Sequence, residues 1–195
     1  MCLRTKSTVR ISAGFFLLTV WFAVVNGWRL LLMILGAAAI HELGHLWMLR
    51  LLGARVFGMQ ISILGAVLET DCRMLSYGKE LMAVLAGPVI NLMCAVALEW
   101  LGPGNETVIG IHLVLGGFNL LPIRPLDGGR ALELLLVWMF GPFTGERIVC
   151  WISSATALFL AVIITGLIIS TGGSLWLLPA AAGALGTAGR EWLRK

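Results

Sequence analysis

The stretch that decides the fold is Ile40-His41-Glu42-Leu43-Gly44-His45-Leu46, which lies inside an apolar run. The run from Leu30 to Leu52 predicts a helix, in which residues four apart lie one above the other on the same face. His41 and His45 have this spacing, so both can chelate one metal ion. We expect one zinc ion per chain, because neutral imidazole suits zinc and a catalytic zinc site needs only three protein ligands.

Glu42 follows His41 and is turned by about 100° around the same predicted helix. A carboxylate in that position can accept a proton from the water that the metal activates. The alternative is a chance pattern, with two histidines that are merely hydrogen-bonded inside a helix bundle. The apolar surroundings favour the metal site, since ionisable residues at membrane depth are costly and usually functional.

Composition places the chain among integral membrane proteins. Of 195 residues, 59% are hydrophobic and only 12% are charged, which excludes an ordinary soluble domain. The net charge is +4, but the 14 basic residues are scattered singly and form no patch for nucleic acid. The four cysteines lack metal-binding spacing and are interpreted as free thiols.

The apolar runs predict an all-α polytopic protein with six transmembrane helices, counting about 20 residues per crossing. The spans lie near residues 11–26, 28–52, 81–101, 108–121, 148–170 and 175–189. We interpret the first as an uncleaved helix rather than a signal peptide, because no cleavage site follows it. No long linker interrupts the chain, so a single domain over 1–195 with a core at 28–140 is predicted.

Two further features concern the connections between the spans. Val56 to Glu69 is rich in β-branched residues and interrupted by glycines, which indicates a small β element after the second helix or else an amphipathic loop. Thirteen of the 14 basic residues fall on one side of the six-span topology, and Arg29 falls on the other. The predicted orientation is therefore multi-pass with both termini in the cytosol.

The third span contains Ala86-Gly87-Pro88-Val89-Ile90-Asn91. Gly87 allows a neighbouring helix to approach closely, and Pro88 is expected to kink the span. Asn91 needs a polar partner at that depth. It is interpreted either as a hydrogen-bonding residue between helices or as a donor in the active site.

The fourth span leads into Pro122-Ile123-Arg124-Pro125-Leu126-Asp127-Gly128-Gly129, where prolines and glycines open the backbone. Asp127 and His41 each lie roughly 15–20 Å along their spans from the same side of the membrane, so they reach a similar depth. His112, near the outer end of this span, is interpreted as a structural or interfacial histidine. Arg124 is interpreted as a topology anchor in preference to a residue that steadies Asp127 or a substrate carbonyl.

Taken together, HELGH, AGPVIN and NLLPIRPLDGG resemble the site-2 protease family (peptidase family M50) of intramembrane metalloproteases. The closest resemblance is to its stage IV sporulation protease branch, and it covers roughly residues 30–140. The resemblance implies that His41, His45 and Asp127 are the metal ligands and that Glu42 is the general base. It also implies that Asn91 and Asn119 orient the substrate or stabilise the oxyanion.

The resemblance further implies a site-2 protease core and a zinc metalloendopeptidase that cleaves a membrane-associated or transmembrane protein near the cytosolic face. Processing of a pro-sigma factor in sporulation, membrane-bound inhibitor or scaffold subunits, and a bacterial cell membrane follow from the same branch. The sequence contains neither the PDZ-sized insertion of the wider family nor the C-terminal CBS domain common in this branch. The nucleotide control associated with that domain therefore does not carry over from the resemblance.

Two other classes of protein share these ligands. A metal-transporting membrane protein would also place histidines and an aspartate in the bilayer, but it would repeat ligands along a path. A non-catalytic relative would bind transmembrane helices without cleaving them. Metal content and cleavage of a candidate substrate distinguish these readings from the protease.

Overall fold

The computed structural model describes residues 8–62, 65–71 and 75–170. The elements follow the order β1 (Thr8–Ile11), α1 (Ala13–Asn26), α2 (Trp28–Leu51), β2 (Arg55–Ser62), β3 (Gly65–Asp71), α3 (Tyr77–Trp100), α4 (Glu106–Asn119), α5 (Asp127–Phe140) and α6 (Pro142–Ser170). The chain divides into two compact units, of which the first ends at Gly117 and the second begins at Phe118. The predicted sixth span, 175–189, lies outside the described residues.

Among the described residues, three helices are long and apolar enough to cross a membrane: Trp28–Leu51, Tyr77–Trp100 and Pro142–Gly166. Each also carries large apolar side chains on its surface, and Trp47, Met93 and Phe159 are 63%, 64% and 66% exposed. Apolar surface of this kind is unfavourable in water and suited to hydrocarbon. The chain is therefore that of a membrane protein, while the full count of six crossings stays a prediction.

The helix ends depart from the predicted spans. The first helix begins at Ala13 rather than at residue 11, because Ser12 caps it by accepting a hydrogen bond from the Phe15 N–H at 3.3 Å. Helix α6 begins at Pro142 rather than near residue 148, since proline is favoured at the first position of a helix. Helix α3 runs from Tyr77 to Trp100 through Pro88, so the third span begins earlier than predicted and is one helix, and the kink at Pro88 stays a prediction.

The strands form one three-stranded sheet in the order β1-β2-β3. Strands β2 and β3 pair antiparallel, with Ser62 opposite Gly65, and they occupy the segment whose β-branched residues indicated strands. Strand β1 pairs in parallel with β2 and was not predicted. It has no local signal, because its partner lies about 50 residues away and pairing of that kind is decided by tertiary contacts.

Close approaches of small residues hold the helices of the first unit together. A β-carbon at Gly44 of α2 would lie 2.9 Å from the Ala86 carbonyl oxygen of α3. One at Gly116 of α4 would lie 3.2 Å from the Pro88 carbonyl oxygen of α3. Small residues at such crossings are the usual means of packing helices in a membrane. They bring the histidine-bearing face of α2 and one face of α4 against α3.

In the second unit, the segment between α4 and α5 is held by its own hydrogen bonds and by contacts to the following helices. The backbone N–H of Leu126 donates to the Ile123 carbonyl at 2.7 Å. The backbone N–H of Arg124 donates to Ser153 Oγ on α6 at 3.0 Å, and its guanidinium lies 3.0 Å from Glu133 Oε1 on α5. Arg124 therefore has a structural role that its interpretation as a topology anchor did not include.

Candidate metal centre

His41 and His45 of α2 form a buried pair of imidazoles, with 4% and 9% of their surfaces exposed. Their Nε2 atoms lie 3.1 Å apart, and the rings meet edge to face with centroids 4.8 Å apart. Two nitrogens bound to one tetrahedral zinc ion at 2.0–2.1 Å lie about 3.3 Å apart. The pair therefore has the separation that a shared zinc ion requires, as the helical spacing predicted.

The ring of His45 is oriented by the backbone of α3. Its Nδ1 lies 2.8 Å from the carbonyl oxygen of Ala83. Because a carbonyl only accepts, Nδ1 carries the proton and Nε2 presents a lone pair. Hydrogen bonding of the second ring nitrogen is the usual way in which proteins fix the orientation of a metal-binding histidine.

The ring of His41 is oriented by a side chain of α3. Its Nδ1 lies 3.2 Å from the amide nitrogen of Asn91, which is fully buried. The amide oxygen of Asn91 lies 3.2 Å from Nδ1 of His112 on α4. Both polar atoms of Asn91 therefore face histidines. This arrangement favours the interpretation of Asn91 as a hydrogen-bonding residue between helices over that of an oxyanion donor.

Gly87 of α3 supplies the space in front of the two rings. A β-carbon at this position would overlap Nε2 of His45 and would lie 2.8 Å from Nε2 of His41. The sequence predicted a close helix approach at Gly87, and the nearest atoms are the Nε2 nitrogens of the two predicted ligands rather than a helix backbone. Any larger residue would fill the space beside both Nε2 atoms.

Glu42 is half-buried on α2, next to His41 in the chain. Asp127 is half-buried and is the first residue of α5. The N-terminus of a helix carries a partial positive charge, which favours a carboxylate there in its ionised form. Asn119, the other predicted polar residue, is half-buried and is the last residue of α4.

The two glycines after Asp127 allow the preceding loop to pack against the start of α5. A β-carbon at Gly128 would overlap the carbonyl oxygen of Leu120, and one at Gly129 would lie 2.6 Å from the carbonyl of Ile123. Side chains at these positions would therefore displace the backbone that carries the carboxylate. The sequence predicted only that these glycines end a helix.

His112 agrees with the structural alternative of its interpretation, since it is 3% exposed and lies in hydrogen-bonding contact with Asn91. Sequence reasoning missed the identity of this partner. A signal was present in the sequence, because His112 and Gly116 are spaced by four residues and so share one face of α4. Since Gly116 is the small residue at the contact with α3, the histidine on its face also points into that contact.

Two imidazoles and one carboxylate are a donor set that fits zinc. His41 and His45 provide the imidazoles, and the sequence predicts Asp127 as the carboxylate. Nitrogen and oxygen donors of this kind leave a fourth coordination position open in catalytic zinc sites. The space in front of Gly87 agrees with that requirement, since it leaves room beside both Nε2 atoms. The prediction of a zinc cofactor is confirmed in this sense.

Comparison with known proteins finds similarity to zinc metalloproteases. No family model matches the sequence. The zinc metalloprotease MJ0392 of Methanocaldococcus jannaschii is 26% identical over 160 residues, which are 75% of this chain and 47% of that protein. The protein sll0528 of Synechocystis is 29% identical over 118 residues, which are 55% of this chain and 31% of that protein. The chain thus spans less than half the length of these relatives.

Among solved structures, the site-2 protease of Methanocaldococcus jannaschii is similar to this chain with a TM-score of 0.70. The match covers 98% of this chain and 93% of that one at 21% sequence identity. At this identity the similarity establishes the fold alone. The prediction of a site-2 protease fold is confirmed, and the assignment of the individual site residues stays a prediction.

Proposed function

We propose that this protein is an intramembrane zinc metalloprotease in which His41, His45 and Asp127 bind one zinc ion and Glu42 is the general base. The observation that carries the proposal is the pair of imidazole Nε2 atoms 3.1 Å apart, facing the side-chain-free surface of Gly87. Zinc proteases place a glutamate directly after the first of two such histidines. The site-2 protease fold and the zinc metalloprotease relatives support the same reaction.

The chemistry of the reaction is divided between the metal and the protein. A bound zinc ion supplies a water molecule of lowered pKa and polarises the carbonyl of the scissile peptide bond. Glu42 accepts the proton of the attacking water and transfers it to the departing amine nitrogen. Ala83 holds Nδ1 of His45 and so directs the Nε2 lone pair of that ring to the metal, while Asn91 lies beside Nδ1 of His41 and orients the second ring.

Stabilisation of the oxyanion requires a donor aimed at the developing charge. Asn91 and Asn119 were both candidates from the sequence. The amide of Asn91 lies between two imidazoles, so we assign it to holding His41. Asn119, at the end of α4 and eight residues before Asp127 in the chain, is the donor that we propose for the oxyanion.

The proposed substrate is a transmembrane or membrane-associated protein that is cleaved near the cytosolic face. A helical substrate must become extended before its peptide bonds are accessible. Strand β3 lies at the edge of the described sheet, and an extended segment can add to such an edge through main-chain hydrogen bonds. We propose that β3 holds the substrate in this form.

We further propose both termini in the cytosol, six spans, and a regulated substrate such as a membrane-bound pro-sigma factor. The distribution of basic residues supports the orientation. The resemblance of HELGH and LDGG to the stage IV sporulation branch supports the substrate class and the involvement of membrane-bound inhibitor or scaffold subunits. Co-expression with a candidate pro-sigma factor tests this choice, and cleavage of other membrane proteins alone would contradict it.

The decisive experiment uses the full chain purified in detergent and compares three proteins: wild type, Glu42→Gln, and Glu99→Gln as a control at an exposed position of α3. Wild type and both variants are expected to bind one zinc ion, measured by elemental analysis. Glu42→Gln is expected to lower cleavage of a co-reconstituted membrane substrate by about 10²- to 10⁴-fold. Glu99→Gln is expected to retain it.

Each of the other outcomes would indicate a different function for this protein. Zinc binding without cleavage by the wild type, combined with zinc flux across vesicles, would favour the transporter. Helix binding without cleavage or flux would favour the non-catalytic relative. Cleavage by Glu42→Gln at the wild-type rate would remove Glu42 from the role of base.

A further inference from the structure

Three helices of the first unit are joined by a buried chain of hydrogen-bonding side chains that ends at the histidine pair. His112 Nδ1 on α4 lies 3.2 Å from Asn91 Oδ1 on α3, and Asn91 Nδ2 lies 3.2 Å from His41 Nδ1 on α2. The exposed fractions of these residues are 3%, 0% and 4%. Each member must therefore find its hydrogen-bond partners within the protein.

Metal binding imposes a condition on His41, the last member of this hydrogen-bonded series. To offer a lone pair at Nε2, the neutral ring must carry its proton on Nδ1, and that N–H needs an acceptor. The group beside Nδ1 is the amide of Asn91, of which only the oxygen can accept. In the structure Nδ2 of Asn91 faces His41, so metal binding requires the amide to turn and present Oδ1 to His41, which directs its NH₂ group toward His112. Rotation of the amide by 180° about its last side-chain bond exchanges the two atoms.

That orientation is favourable only when Nδ1 of His112 acts as an acceptor. If Nδ1 of His112 accepts from the Asn91 NH₂ group, the proton of His112 lies on Nε2. The hydrogen bonds from His112 to Asn91 and from Asn91 to His41 can then both form. If Nδ1 of His112 donates instead, Asn91 Oδ1 must face His112. The NH₂ group then donates to His41 Nδ1, and the proton of His41 lies on Nε2, where it blocks the metal.

On the basis of the proposed function, we infer that His112 is a positioning residue that acts through Asn91 to present the Nε2 lone pair of His41 to zinc. His45 needs no such third residue, because its partner is the carbonyl of Ala83, which can only accept. An amide can present either its oxygen or its NH₂ group to His41. His112 makes the metal-binding orientation possible because its Nδ1 can accept from the NH₂ group that this orientation directs toward α4.

The first test measures the zinc affinity of the full chain in detergent by competition with a chelator. His112→Phe keeps an aromatic ring but removes the acceptor, and zinc affinity is expected to fall on the order of 10- to 100-fold, as for other residues that orient a metal ligand. His112→Asn places an amide oxygen near the position of Nδ1, and affinity close to that of wild type is expected. His112→Leu also removes the acceptor but has a smaller side chain than phenylalanine, and the same fall in zinc affinity is expected.

The second test distinguishes a positioning role from a structural one. In Asn91→Asp the carboxylate can only accept from His41 Nδ1–H, so the orientation no longer depends on His112. His112→Phe is therefore expected to lower zinc affinity much less in the Asn91→Asp background than in wild type. The visible spectrum of the cobalt-substituted proteins is expected to change with His112→Phe alone and to be restored by His112→Asn.

The outcomes separate this inference from the proposed function. Equal losses of affinity in the two backgrounds, or wild-type affinity in both His112→Phe and His112→Leu, would overturn the positioning role alone. A wild-type chain that binds no zinc would overturn the proposed function, and the inference with it.

Discussion

Gly87 on α3 faces the imidazole of His45 on α2 so closely that a β-carbon at position 87 would overlap Nε2. The contact joins two residues that lie far apart in the chain, and it involves the nitrogen that His45 presents to the metal. The absence of a side chain on α3 is therefore a requirement of the site on α2.

Gly87→Ala is expected to abolish stoichiometric zinc binding, because the added methyl group displaces the rings of His41 and His45 from the positions that a shared ion needs. Elemental analysis of the purified chain measures the loss. Gly36→Ala on α2 is the matched control, since a β-carbon there meets no atom within 4 Å. A Gly87→Ala protein with wild-type zinc content would show that the rings have another arrangement when they bind the metal.

Asp127→Ala is expected to lower zinc affinity by more than about 10-fold and to eliminate proteolysis, because two imidazoles alone provide one ligand fewer than a catalytic zinc site uses. Chelator competition and a substrate-cleavage assay measure the two effects. Glu146→Ala removes an exposed carboxylate from α6 and should change neither. Retention of both properties by Asp127→Ala would remove the third ligand from the proposal.

Gly128→Ala is expected to destabilise the protein by roughly 1–3 kcal/mol, since its methyl group would overlap the Leu120 carbonyl oxygen and force the backbone apart. The midpoint of thermal unfolding in detergent measures this effect. Gly166→Ala on α6 meets no atom within 4 Å and provides the control. An unchanged midpoint for Gly128→Ala would mean that the loop before Asp127 moves at little cost.

Removal of zinc with a chelator is expected to lower the thermal midpoint as well as the activity, because a ligand that binds only the folded protein stabilises it. Re-addition of zinc should restore both, whereas magnesium should not, since Mg²⁺ prefers oxygen ligands to imidazole. In Gly87→Ala the chelator should have no effect on the midpoint. Equal restoration by magnesium would contradict a zinc site built on histidines.

Patterns of neighbouring residues in the sequence predicted the elements that form from local preferences. The apolar run around HELGH predicted the helix α2, and the β-branched segment after it indicated the strands β2 and β3. Strand β1 was not predicted. It depends on surroundings that a short stretch of sequence does not contain, because its pairing partner comes from a distant segment.

By itself, the sequence determined the chemistry of the candidate site. The spacing of His41 and His45 places two imidazoles on one face of a helix, because that geometry depends on the helical period alone. Only the tertiary structure decided which atoms orient those rings. The partners in these hydrogen bonds, Ala83 to His45, Asn91 to His41 and His112 to Asn91, are 38, 50 and 21 residues apart. Their meeting follows from the close packing of α2, α3 and α4 at small residues, which no spacing along the chain expresses.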